Sequence, residues 1–464
     1  MLEGSRAFGV SYVYANLLGN EAGRIIYDGE TMIASCGKML AVGERFRFEE
    51  FRITSAVLDI DATRMNRART GSFKLDLELE TDDYVSVPFE FPDVQPAASA
   101  LPEPVWERGA AGKEEEFTRA VALALFDYLR KSHSRGWIVS LSGGADSAAC
   151  SVLCALALRI ASEQLGIDGL REKLSHIAKL GDAQSIAAIT EKMLMCVYQA
   201  TRNSGEVTQN AARDVASAID AEFFLFDVDE VVQNYIGIVE KALDRELTWE
   251  TDNIALQNSH ARARSPSVWM LANIRGALLL STSNRSEAAV GYATMDGDTS
   301  GGLSPIAGID KAFLRRWLSW METTGPEGYG PIPALKAVNR QQPTAELRPQ
   351  SAGQTDEEDL MPYPVLDAIE GCAIRDKQTP LEVFRILGPA HPEYPAEQLA
   401  AWIERFFRLW CRNQWKRERY APSFHVDDKN LDPKTWCRFP ILSGGFQREL
   451  EELREYVEKL PSNP

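Results

Sequence analysis

The sequence predicts an α/β protein, a doubly wound parallel sheet covered by helices and preceded by a smaller β-rich segment. Three observations carry this. Apolar strand-like runs alternate with helical stretches from residue 137 onward. A glycine loop, SGGADS, joins one of those runs directly to an apolar helix. Before that point the chain is rich in β-branched and aromatic residues, and five prolines between Pro88 and Pro104 separate the two regions.

The elements follow in order. Residues 9–15, 23–35 and 51–61 read as a β-rich segment, with Asp28-Gly29 as a turn signal between two strand-like runs. After the proline-rich stretch, Phe117, Val121, Leu125 and Leu129 share one helical face. WIVSL (137–141) reads as a buried strand, and ASAACSVLCALALRI after the glycine loop as a core helix. MLMCVY (193–198), EFFLFDV (222–228) and GALLLST (276–282) are the remaining strands. Residues 321–360, rich in Pro, Gly, Gln and Glu, read as a long loop. The expected division is a β-rich segment over 1–95, a linker over 96–113 and the α/β domain over 114–464.

The totals narrow the function. A length of 464 residues exceeds one core and calls for at least two domains. A net charge of −17 repels polyanions over most of the surface, so neither nucleic acid nor an anionic membrane is an expected partner. Seven cysteines without a CxxC pair give no zinc site and no disulfide framework; they read as reduced thiols in a cytoplasmic protein. No run of about 18 apolar residues suggests a spanning helix, and the first residues lack the pattern of a cleaved leader.

The chemistry centres on Ser142-Gly143-Gly144-Ala145-Asp146-Ser147. Two adjacent glycines permit a tight turn that brings backbone N–H groups to an anion. The following helix N-terminus adds unpaired donors and positive dipole. Ser142 and Ser147 offer hydroxyls to phosphate oxygens. Asp146 would repel bare phosphate, so it makes sense as a ligand of Mg²⁺. The plain alternative is a helix N-cap on a Gly-Gly turn. Neither GxxxxGK[ST] nor GxSxG matches, which disfavours a serine nucleophile.

This loop resembles the pyrophosphate-binding loop of the PP-loop ATP pyrophosphatases, the adenine nucleotide alpha hydrolase-like proteins. Further motifs resemble one branch, the NAD synthetase family. LLLSTSNRSEAAVGYATMDGDTSGGLSPIAGIDK (278–311) is similar to its long signature. The resemblance implies that Thr282 contacts ATP, that Glu287 is the second carboxylate on Mg²⁺ and that Lys311 meets the ATP phosphates. NSHARAR (258–264) resembles a family helix and implies Arg262 and Arg264 as ligands of the dinucleotide phosphates. TRNS (201–204) implies Arg202 as a nucleotide contact. PTAEL with GQTDEEDLMPYPVLD implies Thr344 on ATP, and QWKRERYAPS implies Lys416 on substrate, although Trp415 replaces the His or Tyr usual before that lysine.

The implied activity is ATP-dependent amidation of deamido-NAD to NAD through an adenylated intermediate, releasing AMP and pyrophosphate. The implied cofactor is Mg²⁺, the co-substrates are ATP and ammonia, and the implied assembly is a homo-oligomer. VYANLLGNEAGRIIYDGETMIASCGKMLAVGERF, near the start, resembles the last part of the nitrilase-like glutaminase domain that supplies ammonia from glutamine in this family. The catalytic Glu, Lys and Cys of that domain lie upstream of the matching stretch. Cys36, in the turn-like SCGK, reads as an incidental thiol. Three readings fit: a sequence that begins inside a longer protein, which is preferred; an ammonia-only enzyme; or a partner chain bringing glutaminase. Two other functions stand as alternatives, another PP-loop pyrophosphatase and an inactive fragment with an assembly role. The first would want a basic face or zinc cysteines, and the second a displaced Asp146, Glu287 or Lys311.

Overall fold

The computed structural model describes residues 1–71, 85, 87–90, 92, 94, 105–341 and 356–460. The chain forms two compact units, Met1–Gly19 with Tyr27–Gly112, and Asn20–Ile26 with Lys113–Pro464.

In the first unit, strands β1 (Ser11–Ala15), β4 (Thr31–Ser35) and β5 (Lys38–Val42) form an antiparallel sheet in the order β1-β4-β5, with a bulge between Ile33 and Ala34. Strands β2 (Leu18–Glu21) and β3 (Ile25–Asp28), whose residues 20–21 and 25–26 count with the second unit, make a separate two-stranded ribbon. The turn at Asp28-Gly29 therefore joins strands of different sheets and closes no hairpin. The stretch 51–61 is not a strand: it runs irregularly into a helix, Ile60–Arg69, whose N-cap Asp59 accepts from the Ala62 N–H. Among the described residues this stretch joins no sheet, although Thr54 Oγ1 lies 2.6 Å from Thr31 Oγ1 of β4, and Phe51 and Ile53 are exposed.

The second unit holds the parallel sheet. Strands β6 (Trp137–Ser140), β7 (Leu194–Ala200), β8 (Glu222–Asp227) and β9 (Leu278–Leu280) lie in the order β8-β7-β6-β9, all parallel. From β6 the strands β7 and β8 run outward in one direction and β9 lies on its other side, so the winding reverses between β6 and β9. Ligands of open α/β sheets bind outside the strand C-termini at such a reversal. One face, with Ile138, Met195, Val197 and Leu279, packs against Val268 and Ala272 of the helix Ser265–Arg275. On the other, Cys196 Sγ lies 3.5 Å from Ser151 Oγ of the helix Ala145–Lys173.

That long helix is apolar and long enough to cross a membrane by length and composition, a feature the sequence reading missed. Of its apolar window 78% is buried inside the protein, as in a core helix. Phe117, Val121, Leu125 and Leu129 are all buried on the helix Gly112–Lys131. One reading of irregular structure is corrected. The helix Lys311–Thr323, the turns Pro333–Leu335 and Lys336–Asn339 and the helix Asp356–Asp359 occupy parts of 321–360. The stretch 96–113, expected as a linker, contains Val105–Arg108 and the start of Gly112–Lys131 among its described residues. Proline at the first turn, as at Pro333, costs a helix nothing and pre-sets φ, so proline content alone was a poor sign of a loop.

Candidate active site

The loop after β6 builds the floor of the site. Gly143 has φ 82°, and a Cβ there would run into the Thr208 carbonyl, so only glycine fits this turn. Gly144 is the N-cap of Ala145–Lys173 and has no side-chain cap, which leaves the first-turn N–H groups facing outward. Ser142 Oγ and Ser147 Oγ lie 3.1 Å apart, and Ser147 Oγ donates to the Gly144 carbonyl at 3.2 Å. The plain helix-start geometry is therefore present, and its open donors face a cavity of about 580 Å³ lined by Ser142, Gly144, Asp146 and Ser147.

Two further segments bring charge to the same cavity. Asn284 caps the helix Arg285–Val290 by accepting from the Glu287 N–H at 3.0 Å, and its amide donates to Asp146 Oδ1 at 3.0 Å. Lys311, the first residue of Lys311–Thr323, reaches into the gap. Its Nζ is paired with Asp146 and lies 3.1 Å from Glu287 Oε1. Residues 146, 287 and 311 thus meet in one place, where Lys311 is 3% exposed.

Burial works against the Lys311 charge, but Asp146 and Glu287 outweigh it and raise its pKa. Burial pushes Glu287 up to about 8 despite the opposing pull of Lys311, and Asp146 adds to the rise. Burial likewise pushes Asp356, on the same cavity, up to about 6. The ammonium therefore stands between two carboxylates, and burial holds the Glu287 carboxyl well above its usual range. Asp146 and Glu287 offer two hard oxygen donors of the kind Mg²⁺ takes, and among the described residues no third carboxylate, histidine or cysteine is grouped with them for a metal.

The other expected residues divide. Thr282, Arg264 and Lys416 line the cavity. Lys416 Nζ donates to the carbonyls of Gly291 at 2.7 Å and Ala293 at 2.8 Å, and burial lowers its pKa. Arg202 is not in the cavity lining: it is exposed and held in a two-point pair by Asp229, with Nη2 2.8 Å from Oδ2. Arg262 is also exposed and outside the lining, donating to the Met295 carbonyl at 3.0 Å. In each case a nearby acceptor engages the side chain. Thr344 lies outside the described residues.

Sequence reasoning passed over Asn284, Asp298 and Asp356. Asp298 lines the cavity and accepts from the Thr294 N–H at 2.7 Å, and burial raises its pKa. All three lie inside the quoted motifs, so a reading of every polar position in SNRSE, GDTSGG and QTDEED would have found them. All seven cysteines are free; Cys36 has φ 51°, in the turn the sequence suggested.

The chain is 27% identical to a glutamine-dependent NAD(+) synthetase of Saccharomyces cerevisiae over 99% of its own length and 68% of that protein. It is 28% identical to one of Homo sapiens over 93% of its length and 64% of that protein. A crystal structure of a glutamine-dependent NAD(+) synthetase from Cytophaga hutchinsonii superimposes with a TM-score of 0.77 at 40% identity, covering 97% of this chain and 66% of that one. The chain thus spans about two thirds of the length of these relatives. The family described as NAD synthase matches residues 117–418, well over half of the chain and all of the cavity's charged centre, and the chain belongs to that family.

Proposed function

We propose that the chain converts deamido-NAD to NAD, with ATP cleaved to AMP and pyrophosphate. The observation that carries this is the meeting of Asp146, Glu287 and Lys311 beside the SGGADS helix start, in a cavity of about 580 Å³. A nicotinate carboxylate is a poor acylating agent. Its attack on the α-phosphorus of ATP gives an acyl adenylate, and ammonia then displaces AMP from the carbonyl carbon, losing a proton. The protein's part is positioning and charge neutralisation, and no side-chain nucleophile is needed.

The SGGADS loop would hold the pyrophosphate through its backbone N–H groups and the two serine hydroxyls. Lys311 would exchange its carboxylate partners for phosphate oxygens as ATP arrives. Thr282 would meet ATP at the end of β9, and Arg264 and Lys416 would meet the dinucleotide. Asp146 and Glu287 would hold Mg²⁺, which supplies charge that offsets the phosphates. Arg202, Arg262 and Thr344 remain family-based candidates for nucleotide contacts.

The first unit is read as the later part of a nitrilase-like glutaminase domain, residues 1–95, followed by a linker over 96–113. We propose direct use of ammonia by this chain and a cytoplasmic location. A homo-oligomer is also proposed. Val231, Tyr235, Ile238, Val239 and Leu243 form an exposed apolar stripe along the helix Asp229–Leu243, and such a stripe calls for cover.

The test is NAD formation from deamido-NAD, ATP and Mg²⁺, with ammonium or glutamine as nitrogen source. Product with ammonium alone is expected. Product with glutamine would overturn the ammonia-only reading, and no product from folded protein would overturn the synthetase reading.

A further inference from the structure

Behind the cavity, and outside its lining, lies a second cation among carboxylates. Arg285 is wholly buried. Its Nε lies 2.7 Å from Glu370 Oε1, its Nη1 2.7 Å from Asp427 Oδ2 and its Nη2 3.1 Å from Asp310 Oδ2. Nη1 also donates to the Gly308 carbonyl at 2.6 Å, and the Arg285 backbone N–H to the Ile309 carbonyl at 2.8 Å. The Glu370 contact is one of charge without hydrogen-bond alignment, since neither partner atom makes a hydrogen bond.

The partners matter more than their number. Arg285 stands between Asn284, which touches Asp146, and Glu287. Asp310 is the N-cap of the helix that begins at Lys311 and accepts from the Phe313 N–H at 2.7 Å. The guanidinium therefore ties the turn carrying Glu287 to the cap of the helix carrying Lys311. Ser286 adds a parallel tie: its Oγ accepts from the Lys311 N–H at 2.9 Å and donates to Asp367. A buried ion cluster is weak evidence for stability, because apolar residues of equal volume often stabilise as well. A planar fork fixing several acceptors at once serves geometry instead.

We propose that Arg285 is a positioning residue that sets the spacing of Glu287 and Lys311 about Asp146. The inference rests on the synthetase reading of that site. The test compares the wild-type chain with R285K, which keeps the charge and loses the fork, and with D427N at the cluster's more exposed rim. Thermal melting, kcat and KM for ATP with ammonium, and Mn²⁺ binding in the presence of ATP by electron paramagnetic resonance are measured on each. For R285K, kcat and Mn²⁺ affinity are expected to fall roughly 10–100-fold, as when partners behind metal ligands are changed. KM for ATP should stay within about twofold, because the loss falls on the transition state. D427N should move the same way by less. Wild-type kcat and Mn²⁺ affinity in a folded R285K, or a lower melting temperature alone, would overturn the proposal. If R285K does not fold, D427N decides: a lower kcat at unchanged KM supports positioning, and an unchanged kcat overturns it. If the wild-type chain makes no NAD, the synthetase reading fails by itself, and Mn²⁺ affinity in R285K still decides the role of Arg285.

Discussion

Lys311 and Arg285 are both buried cations gripped by carboxylates, and they differ in what lies beyond them. Lys311 holds Asp146 and Glu287 and borders a large cavity. Arg285 holds Glu370, Asp310 and Asp427 and is enclosed by protein. An ammonium is a point charge on a flexible stem and can change partners; a guanidinium is a rigid fork that fits fixed ones. In the proposed function, the charges around Lys311 are exchanged for those of a ligand. Those around Arg285 are arranged to stay.

The largest effect should come from the exchangeable cluster. Asp146→Asn is expected to lower kcat for NAD formation by about 10²–10³-fold, the scale of losing one preorganised electrostatic group. Its melting temperature should barely change, because Asn284 and Lys311 keep an amide oxygen to donate to. A melting loss as large as that of an Arg285 variant would erase the distinction between the clusters.

Stability should show the reverse order. Arg285→Met strips the partner from a fully buried Glu370 and is expected to cost about 3–5 kcal/mol in denaturant unfolding. Lys311→Met should cost less than half of that, because solvent cations can reach Asp146 and Glu287 through the cavity. Equal costs would show that both clusters are structural.

A smaller effect concerns pH. Burial pushes Asp367 up to about 8, with the Glu370 and Asp310 charges adding to the rise. The folded protein keeps this proton through a range in which the unfolded chain has lost it. Stability from this group is complete below the ordinary carboxylate pKa and is lost as pH rises toward 8, at up to about 1.4 kcal/mol per pH unit. Asp367→Asn should flatten that slope by one proton between pH 5 and 8; an unchanged slope in thermal melting would place the proton elsewhere. The smallest effect belongs to Cys36→Ser, in the first unit. Stability should stay within about 0.5 kcal/mol and ammonium-driven turnover should be unchanged, and any loss of turnover would give that thiol a role.

These two clusters also show what a linear sequence discloses. Asp146, Glu287 and Lys311 sit in recognisable motifs, and the four parallel strands are short apolar runs bounded by turns, so their local pattern was enough. Arg285 sits in SNRSE as an ordinary polar residue of a helix start. Its burial is imposed by Asp310 and Asp427, 25 and 142 positions away, and no local signal announces it. Arg202 and Arg262 stand outside the cavity lining for the complementary reason. Their charges suit phosphate, but Asp229 and the Met295 carbonyl claim them. The 51–61 run failed as a strand because β propensity alone does not make one: among the described residues it is hydrogen-bonded into no sheet.

The central claim is that the cavity at Asp146, Glu287 and Lys311 activates a carboxylate by transfer of AMP. Deamido-NAD labelled with ¹⁸O in its nicotinate carboxylate, turned over with ATP, Mg²⁺ and ammonium, tests it most directly by mass spectrometry of the nucleotide products. The account predicts NAD together with AMP carrying one ¹⁸O atom, and unlabelled pyrophosphate. Formation of ADP, or of AMP without label, would contradict it.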